Sequence, residues 1–445
     1  MKINTLELTN VRGFTYAKLD FQPGFNLIVG INGVGKTTVL ESLRIVLSHL
    51  LPEATVSKNK KDHFDDYDIQ IGKSDLILDV KFKLESKDFS IVFNIQKENI
   101  KSKYTDNIRN QTYNVEHTIK IDNYIPLNTI KEENKDYSKI DFYSFVKEYK
   151  KQRNQPLGIY FSSHRSLMTE EKPSKSQTIG GQSVAFADTL NKKREFAIRV
   201  FADWFIAQEA LAEENTVLSQ RIVAIKEAIY TFLPDFSELK VIKDLRDENN
   251  TFSIVKNAKT LSFQQLSDGE RSILTLVLDI ARRLTIANVG DENPLHGEAV
   301  ILIDELDLHL HPKWQRSIVK DLERTFPKCQ FIATTHSPQI IGEVKPEAIT
   351  IIDRNIESEV YKPNVAFGLD SQRILEELLD APTRNIEIQD EINKVNNDVD
   401  VEKYKEAKAK IAELRQTLGE NDPELVRINS IIQFLEEDFS NEEDS

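Results

Sequence analysis

Residues Ala299 to Pro312 read AVILIDELDLHLHP, and they limit the fold more than any other stretch. Ala299 to Ile303 form an apolar run too short for an ordinary helix and rich in β-branched side chains. That predicts a strand buried on both faces of a parallel sheet, and hence an α/β fold. Asp304 and Glu305 then arrive side by side at the strand's C-terminal end, where open α/β sheets place their ligands. Alone, the pair reads equally well as the acidic first turn of a following helix, so its companions in the sequence must decide.

The first companion is GINGVGKT, Gly30 to Thr37, which fits G-x-x-x-x-G-K-[ST] between an apolar strand, Phe25 to Val29, and a helical run, Thr38 to Leu50. Strand, glycine loop and helix is the context this motif needs. Gly30, Gly33 and Gly35, with Asn32 and Thr38 beside them, let backbone N–H groups curl around phosphate oxygens. Lys36 adds a cation and Thr37 a hydroxyl for a magnesium ion. The second companion is LSDGER, Leu266 to Arg271, ahead of an apolar helix, Ser272 to Thr285. Ser267, Gly269 and Glu270 mark a second helix N-terminus able to face phosphate. One nucleotide does not need two such ends from one subunit, so two chains facing each other are expected to share it. The third is TTHSP, Thr334 to Pro338, after a strand Cys329 to Ala333, which brings His336 to the same sheet edge.

Together the glycine loop, LSDGER, the hydrophobic-Asp-Glu stretch, HLH and His336 resemble the ABC-type ATPase heads of the SMC, RecF and related repair and defence proteins. The N-terminal INTLELTNVRGFTYAKLDFQPGFNLIVG looks like the opening strands and N-x-R-x-F element of that group. DELDLHLHPKWQ, FGLDSQRILEELLDAP and NDPELVRINSIIQFLEE are similar to the stand-alone PtuA-type ATPases of Septu and retron anti-phage systems. The resemblance covers residues 1–50 and 260–437. It implies ATP and Mg²⁺ as ligands, with Lys36 and Thr37 on the triphosphate and metal and Asp304 holding the metal through water. It further implies Glu305 polarising the attacking water, His336 sensing the γ-phosphate, Ser267 and Gly269 acting in trans, and Arg12 flanking the nucleotide. His309 to His311 would occupy the D-loop at the dimer seam, which is why their H-x-H spacing is not read as a metal pair. A glutamine usual between the first two motifs is missing, and its positional counterpart, Gly158 to Ser166, offers Ser162, Ser163 and His164 instead.

The predicted architecture is an ABC-type head of mixed sheet, helices and an antiparallel β layer, with an inserted helical lobe and a C-terminal helical extension. Its expected parts are an N-terminal head lobe (1–53), the β layer and lobe (54–258), a C-terminal head lobe (259–354) and an acidic helical region (355–445) for docking or oligomerisation. Charged residues at 29% and hydrophobic ones at 40% are ordinary for a soluble protein. No apolar run long enough for a membrane span and no signal-peptide pattern are present, so a cytoplasmic location is expected. The lone Cys329 excludes disulfide frameworks within one chain.

Residues 355–445 carry 10 Lys and Arg against 23 Asp and Glu, nearly the whole net charge of −14. Such a tail repels DNA and attracts basic partners. Leu76–Leu84, Phe89–Gln96 and Tyr113–Ile121 alternate as half-buried strands do, and Lys58–Tyr67 reads as a surface loop. Lys97–Arg109 and Lys131–Arg153 interleave lysines with aromatics, a pattern shared by nucleic-acid surfaces and solvated faces. Glu170–Ser183 reads as a loop; helices are expected over Lys193–Leu211, Ser219–Leu233 and Trp314–Phe326. Spacings at Ile411, Leu414, Leu418 and Leu425, Ile428, Ile432 predict a helical hairpin.

The function expected is an ATP-hydrolysing ATPase, not itself a nuclease, that dimerises or oligomerises around nucleotide. It would regulate a separate effector such as an HNH nuclease. The alternative is a RecF-like repair ATPase that binds DNA directly. A fused nuclease would need a further strand-borne acidic site past Asp353, and the helical, acidic tail offers none.

Overall fold

The computed structural model describes residues 1–97, 115–123, 142–163, 181–194, 196–243, 249–289, 292–355 and 359–443. His164, most of the loop expected at 170–183 and most of the Lys-rich stretches lie outside these residues. The chain forms two compact units, Met1–Ile374 and Leu375–Ser445.

A six-stranded sheet organises the first unit. Its order is β14 (Val360–Tyr361), β13 (Ile349–Ile352), β3 (Phe25–Val29), β12 (Cys329–Thr334), β11 (Ala299–Ile303) and β7 (Leu157–Phe161). All pairings are parallel except β13 with β14. Every residue of β3, β7, β11 and β12 is buried, as expected of strands covered on both faces. Ile303 lies opposite Phe161 and Ala333, and Thr334 opposite Ile28. The C-terminal ends of β3, β7, β11 and β12 therefore line one edge.

A second, antiparallel sheet runs β2 (Phe14–Asp20), β1 (Lys2–Val11), β4 (Asp75–Leu84), β5 (Lys87–Lys97), β6 (Val115–Asn123). In β4, Leu76, Leu78, Val80, Phe82 and Leu84 point inward and alternate with partly exposed neighbours. Helix α1 (Lys36–Ala54) lies between the two sheets: Leu40, Leu43, Val46, Leu47 and Leu50 share one core with Leu78 and Val80 on one side and Val300, Leu302 and Ile332 on the other. α2 (Phe142–Tyr149) closes this core through Phe142 against Phe82 and Phe89.

The lobe between the motifs pairs α3 (Ile198–Ala212) and α4 (Thr216–Phe232) with a three-stranded sheet, β8 (Phe236–Lys243), β9 (Asn250–Lys256) and β10 (Lys259–Ser262). Phe201 and Phe205 meet Phe252 there. α3 starts five residues later than its apolar pattern predicts, because Arg194 is drawn to the buried Asp279 at 2.6 Å instead of entering the helix. α5 (Asp268–Ala287) is buried on nearly every side. The helix expected over Trp314–Phe326 is two helices, α6 (Pro312–Gln315) and α7 (Ile318–Thr325). Gln315 explains the break, since its amide binds Leu310 O and Ser337 Oγ and ties the first turn down. α8 (Pro338–Ile341) follows β12, and α9 (Ser371–Leu378) spans the sequence boundary between the two units.

The second unit is a three-helix bundle, in which α10 (Ile386–Asp400) packs on the expected hairpin of α11 (Tyr404–Leu418) and α12 (Pro423–Glu443). Together they bury Ile392 and Val395 with Ala407, Ile411, Leu425, Ile428 and Ile432. Arg384 clamps Asp422 in two-pronged fashion at 2.9 and 3.1 Å.

Candidate nucleotide site

The loop Gly30–Gly35 joins β3 to α1. Gly30, Gly33 and Gly35 have φ of 156°, 81° and 115°, values that glycine adopts without steric cost. At Gly35 a side chain would also strike the Phe14 ring, 2.6 Å from a Cβ placed there. The start of α1 has no side-chain cap and no acidic residue in its first turn, so its N–H groups and positive dipole end are left for an anion. Lys36 Nζ donates to the carbonyls of Gly30 and Ile31, both at 2.9 Å, which leaves one of its three protons for a ligand. Burial pushes the Lys36 ammonium down to about 8, against the pull of Asp304, Glu305 and Asp307. A buried cation held in this state favours an incoming anion.

Thr37 Oγ1 donates to the Asp304 carboxylate at 3.0 Å. Asp304 is 2% exposed, and its backbone N–H is anchored on Phe161 O at 2.8 Å. A hydroxyl and a carboxylate this close are hard oxygen donors of the kind Mg²⁺ takes, together with water and phosphate, so the residues fit that ion. Glu305 follows at φ 51°, a left-handed backbone that costs a non-glycine residue of order 1–3 kcal/mol and persists only where surroundings enforce it. His336 is half-buried, and burial and then Lys36 lower its pKa below the usual histidine value.

Ser267 caps α5 in a capping box. Its Oγ accepts from Glu270 N at 3.4 Å, while Glu270 Oε2 accepts from Ser267 N at 2.9 Å and from Ser267 Oγ at 2.8 Å. Glu270 also pairs with Lys256; burial would raise its pKa, but Lys256 and Ser267 outweigh that and lower it. Gly269 sits where a Cβ would lie 2.7 Å from His309 O and 2.8 Å from the Trp314 ring. The LSDGER helix end is thus packed on the segment that follows Glu305 in the same chain. His309 is exposed at φ 63°, and His311 Nδ1 accepts from Lys313 N at 3.2 Å as the cap of α6. Arg12 is engaged by Asp68 at 2.7 Å and by Glu41 of α1 at 2.6 Å.

Residues 25–342 match the family model described as "AAA domain, putative AbiEii toxin, Type IV TA system". That span holds every residue placed above at the loop, the sheet edge and α5. The chain belongs to this family. It is 30% identical to "Retron Vc95 probable ATPase" of Vibrio cholerae, over 78% of this chain and 74% of that one. It is 27% identical to "Retron Ec83 probable ATPase" of Escherichia coli, over 100% of this chain and 89% of that one. It is 26% identical to "Septu protein PtuA" of Bacillus thuringiensis, over 85% and 84%. The resemblance to PtuA-type ATPases therefore holds along most of the chain.

Three residues around this site escape the sequence reading. Thr334, fully buried at the end of β12, donates its hydroxyl to Asp304 Oδ1 at 2.7 Å and accepts from Glu305 N at 2.8 Å. One hydroxyl thus fixes both acidic positions. Asp307 accepts from the Thr335 hydroxyl and from His336 N, joining the two ends of the site. Arg354, two residues past β13, donates Nε to Val34 O at 3.0 Å and stands over the Phe14 ring at 5.7 Å. The available signal was positional: Thr334 and Arg354 both sit at or just past strands whose C-terminal ends face the ligand. Of the residues read in the missing glutamine's place, Ser162 and Ser163 are described, and Ser162 is buried just past β7. Among the described residues no helix is long and apolar enough to cross a membrane.

Proposed function

We propose that the protein binds ATP with Mg²⁺ at the Gly30–Thr38 loop and hydrolyses it. We propose further that two copies face each other across shared nucleotides, and that this association, in a dimer or a larger ring, controls a separate effector nuclease in anti-phage defence. The observation that carries the ATPase reading is the Thr37–Asp304 pair beside a buried Lys36 and an uncapped helix start. Bound Mg²⁺ would supply charge neutralisation at the phosphates, with Thr37 and Asp304 as its protein oxygens. Lys36 draws the phosphate oxygens onto the loop. Glu305, held through its N–H by Thr334, is assigned to orient and polarise the attacking water. His336, kept neutral by burial and by Lys36, can donate a ring proton to the terminal phosphate. Ser267 and Gly269 are assigned to the nucleotide of the second copy. The relatives named for Septu and retron systems support the defence setting, and the concentration of negative charge at residues 355–445 supports a basic protein partner there.

Two variants test this reading. Glu305→Gln should lower single-turnover ATP hydrolysis by about 10²–10⁴-fold, the usual range for losing a positioned acid–base group, with ATP binding retained; unchanged hydrolysis would remove Glu305 from its role. Ser267→Arg should retain ATP binding and abolish nucleotide-driven association in sedimentation velocity. Normal association would refute the shared site.

A further inference from the structure

A cavity of about 480 Å³ lies between the second half of α1, the loop that follows it and the turn at Asp188–Lys193. Arg44, Lys60, Lys61, Lys192 and Lys193 line it against only Asp62 and Asp188, a local positive excess on a chain of net charge −14. Three of these cations are committed: Arg44 to Asp62 at 2.6 Å, Lys61 to Glu53 at 2.8 Å and Lys192 to Glu41 at 2.8 Å. Lys60 and Lys193, on different walls, have no acidic partner among the described residues. The buried Arg44 is held on the wall by Asp62 and by Leu190 O, which accepts from its Nη1 at 3.0 Å, so its charge is fixed in place beside the two uncommitted lysines. Arg44 stands eight residues beyond Lys36, about 12 Å along the helix at 1.5 Å per residue, so this is a different place from the glycine loop.

The uncommitted charge fixes the kind of ligand. Two flexible ammonium groups act as point charges suited to phosphate oxygens, whereas a lone carboxylate is matched best by a flat guanidinium fork. The space is of the size that holds small organic ligands and far exceeds what a simple inorganic ion fills. We propose that this cavity is a second anion site, binding a phosphate-bearing small molecule of the nucleotide or oligophosphate class.

Inorganic pyrophosphate is the probe, titrated calorimetrically into the full chain carrying Lys36→Ala to weaken the glycine loop. The Lys36→Ala chain should bind it, and adding Lys60→Glu with Lys193→Glu should weaken binding at least tenfold. Lys60→Gln with Lys193→Gln should give an intermediate loss, and all four substitutions fall on exposed side chains that the fold does not need. Absence of binding to the Lys36→Ala chain, or binding unchanged by the charge reversals, would overturn the proposal. So would a single-stranded oligonucleotide that binds with this lysine dependence where pyrophosphate does not. ATP binding at the glycine loop, taken as the component that Lys36→Ala removes, is measured separately in the Lys60→Glu, Lys193→Glu chain with Lys36 intact, and that component should match the unmodified protein. Absence of that component from both the unmodified and the Lys60→Glu, Lys193→Glu chains, with pyrophosphate still held by the Lys36→Ala chain, would strike the glycine-loop reading and leave this cavity's assignment standing.

Discussion

The protein has two helix N-termini that its sequence marks for phosphate, and they are built in opposite ways. At α1 the cap position is Gly35, no side chain bonds the first turn and no acid lies in it. At α5 the cap is Ser267 in a closed capping box, with Asp268 and Glu270 in the first turn. The α1 end keeps its donors and positive field for a ligand; the α5 end has spent a donor on Ser267 and set two carboxylates against its own dipole. An anion therefore goes first to α1. In the proposed shared site the α5 end would meet a phosphate only after Lys36 and a metal ion had reduced its charge, so nucleotide binding would precede association.

The most severe way to break this contrast is Lys36→Ala. It removes the buried cation at α1 while leaving the capping box at α5 intact, and ATP affinity should fall by about 100-fold or more, about 2.8 kcal/mol at 1.4 kcal/mol per decade. Calorimetric titration with ATP and Mg²⁺ checks it; a loss below threefold would mean that nucleotide is held elsewhere than at the α1 end. A subtler form of the same test uses pH. With its ammonium pushed down to about 8, Lys36 is charged below that pH with or without ligand, so its contribution to affinity is flat there. Above it, the empty site loses the proton and a bound phosphate restores it, because a neighbouring anion favours the charged form. ATP affinity should then decline by up to about tenfold per pH unit, with uptake approaching one proton when titrations are repeated in buffers of different ionisation enthalpy. Affinity that stays level from pH 7 to 9.5 would show that Lys36 keeps its proton in the empty site.

The same contrast explains how far the sequence could be read. The pentapeptides Phe25–Val29 and Ala299–Ile303 appear in the structure with those bounds, because strands covered on both faces are written as unbroken apolar runs. The glycine loop was equally legible, since its positive φ angles demand the residues that spell the motif. What the sequence did not disclose depends on bonds between distant segments. Thr334 looks like any strand threonine until β12 aligns it with Asp304 and Glu305. The early part of the segment read as α3 was lost to a bond between Arg194 and Asp279, 85 residues apart. The residues of α10 hold few apolar positions, and these alone do not show that the segment completes a third wall of the bundle.

The smallest expected effect is at the other helix end. Ser267→Ala removes the cap of α5, and a lost serine cap costs about 1 kcal/mol, read as a lower denaturation midpoint without nucleotide. At α1 no such loss is possible, because Gly35 contributes no side-chain bond. If the Ser267 hydroxyl also meets a phosphate carried by a second copy, its removal weakens association as well. The stability gap between Ser267→Ala and the unmodified chain should then widen when ATP and Mg²⁺ are present with hydrolysis blocked by Glu305→Gln in both chains, since binding to the folded state adds stability by mass action. A gap of the same size with and without nucleotide would confine Ser267 to capping its own helix and leave α1 as the sole phosphate end of the molecule.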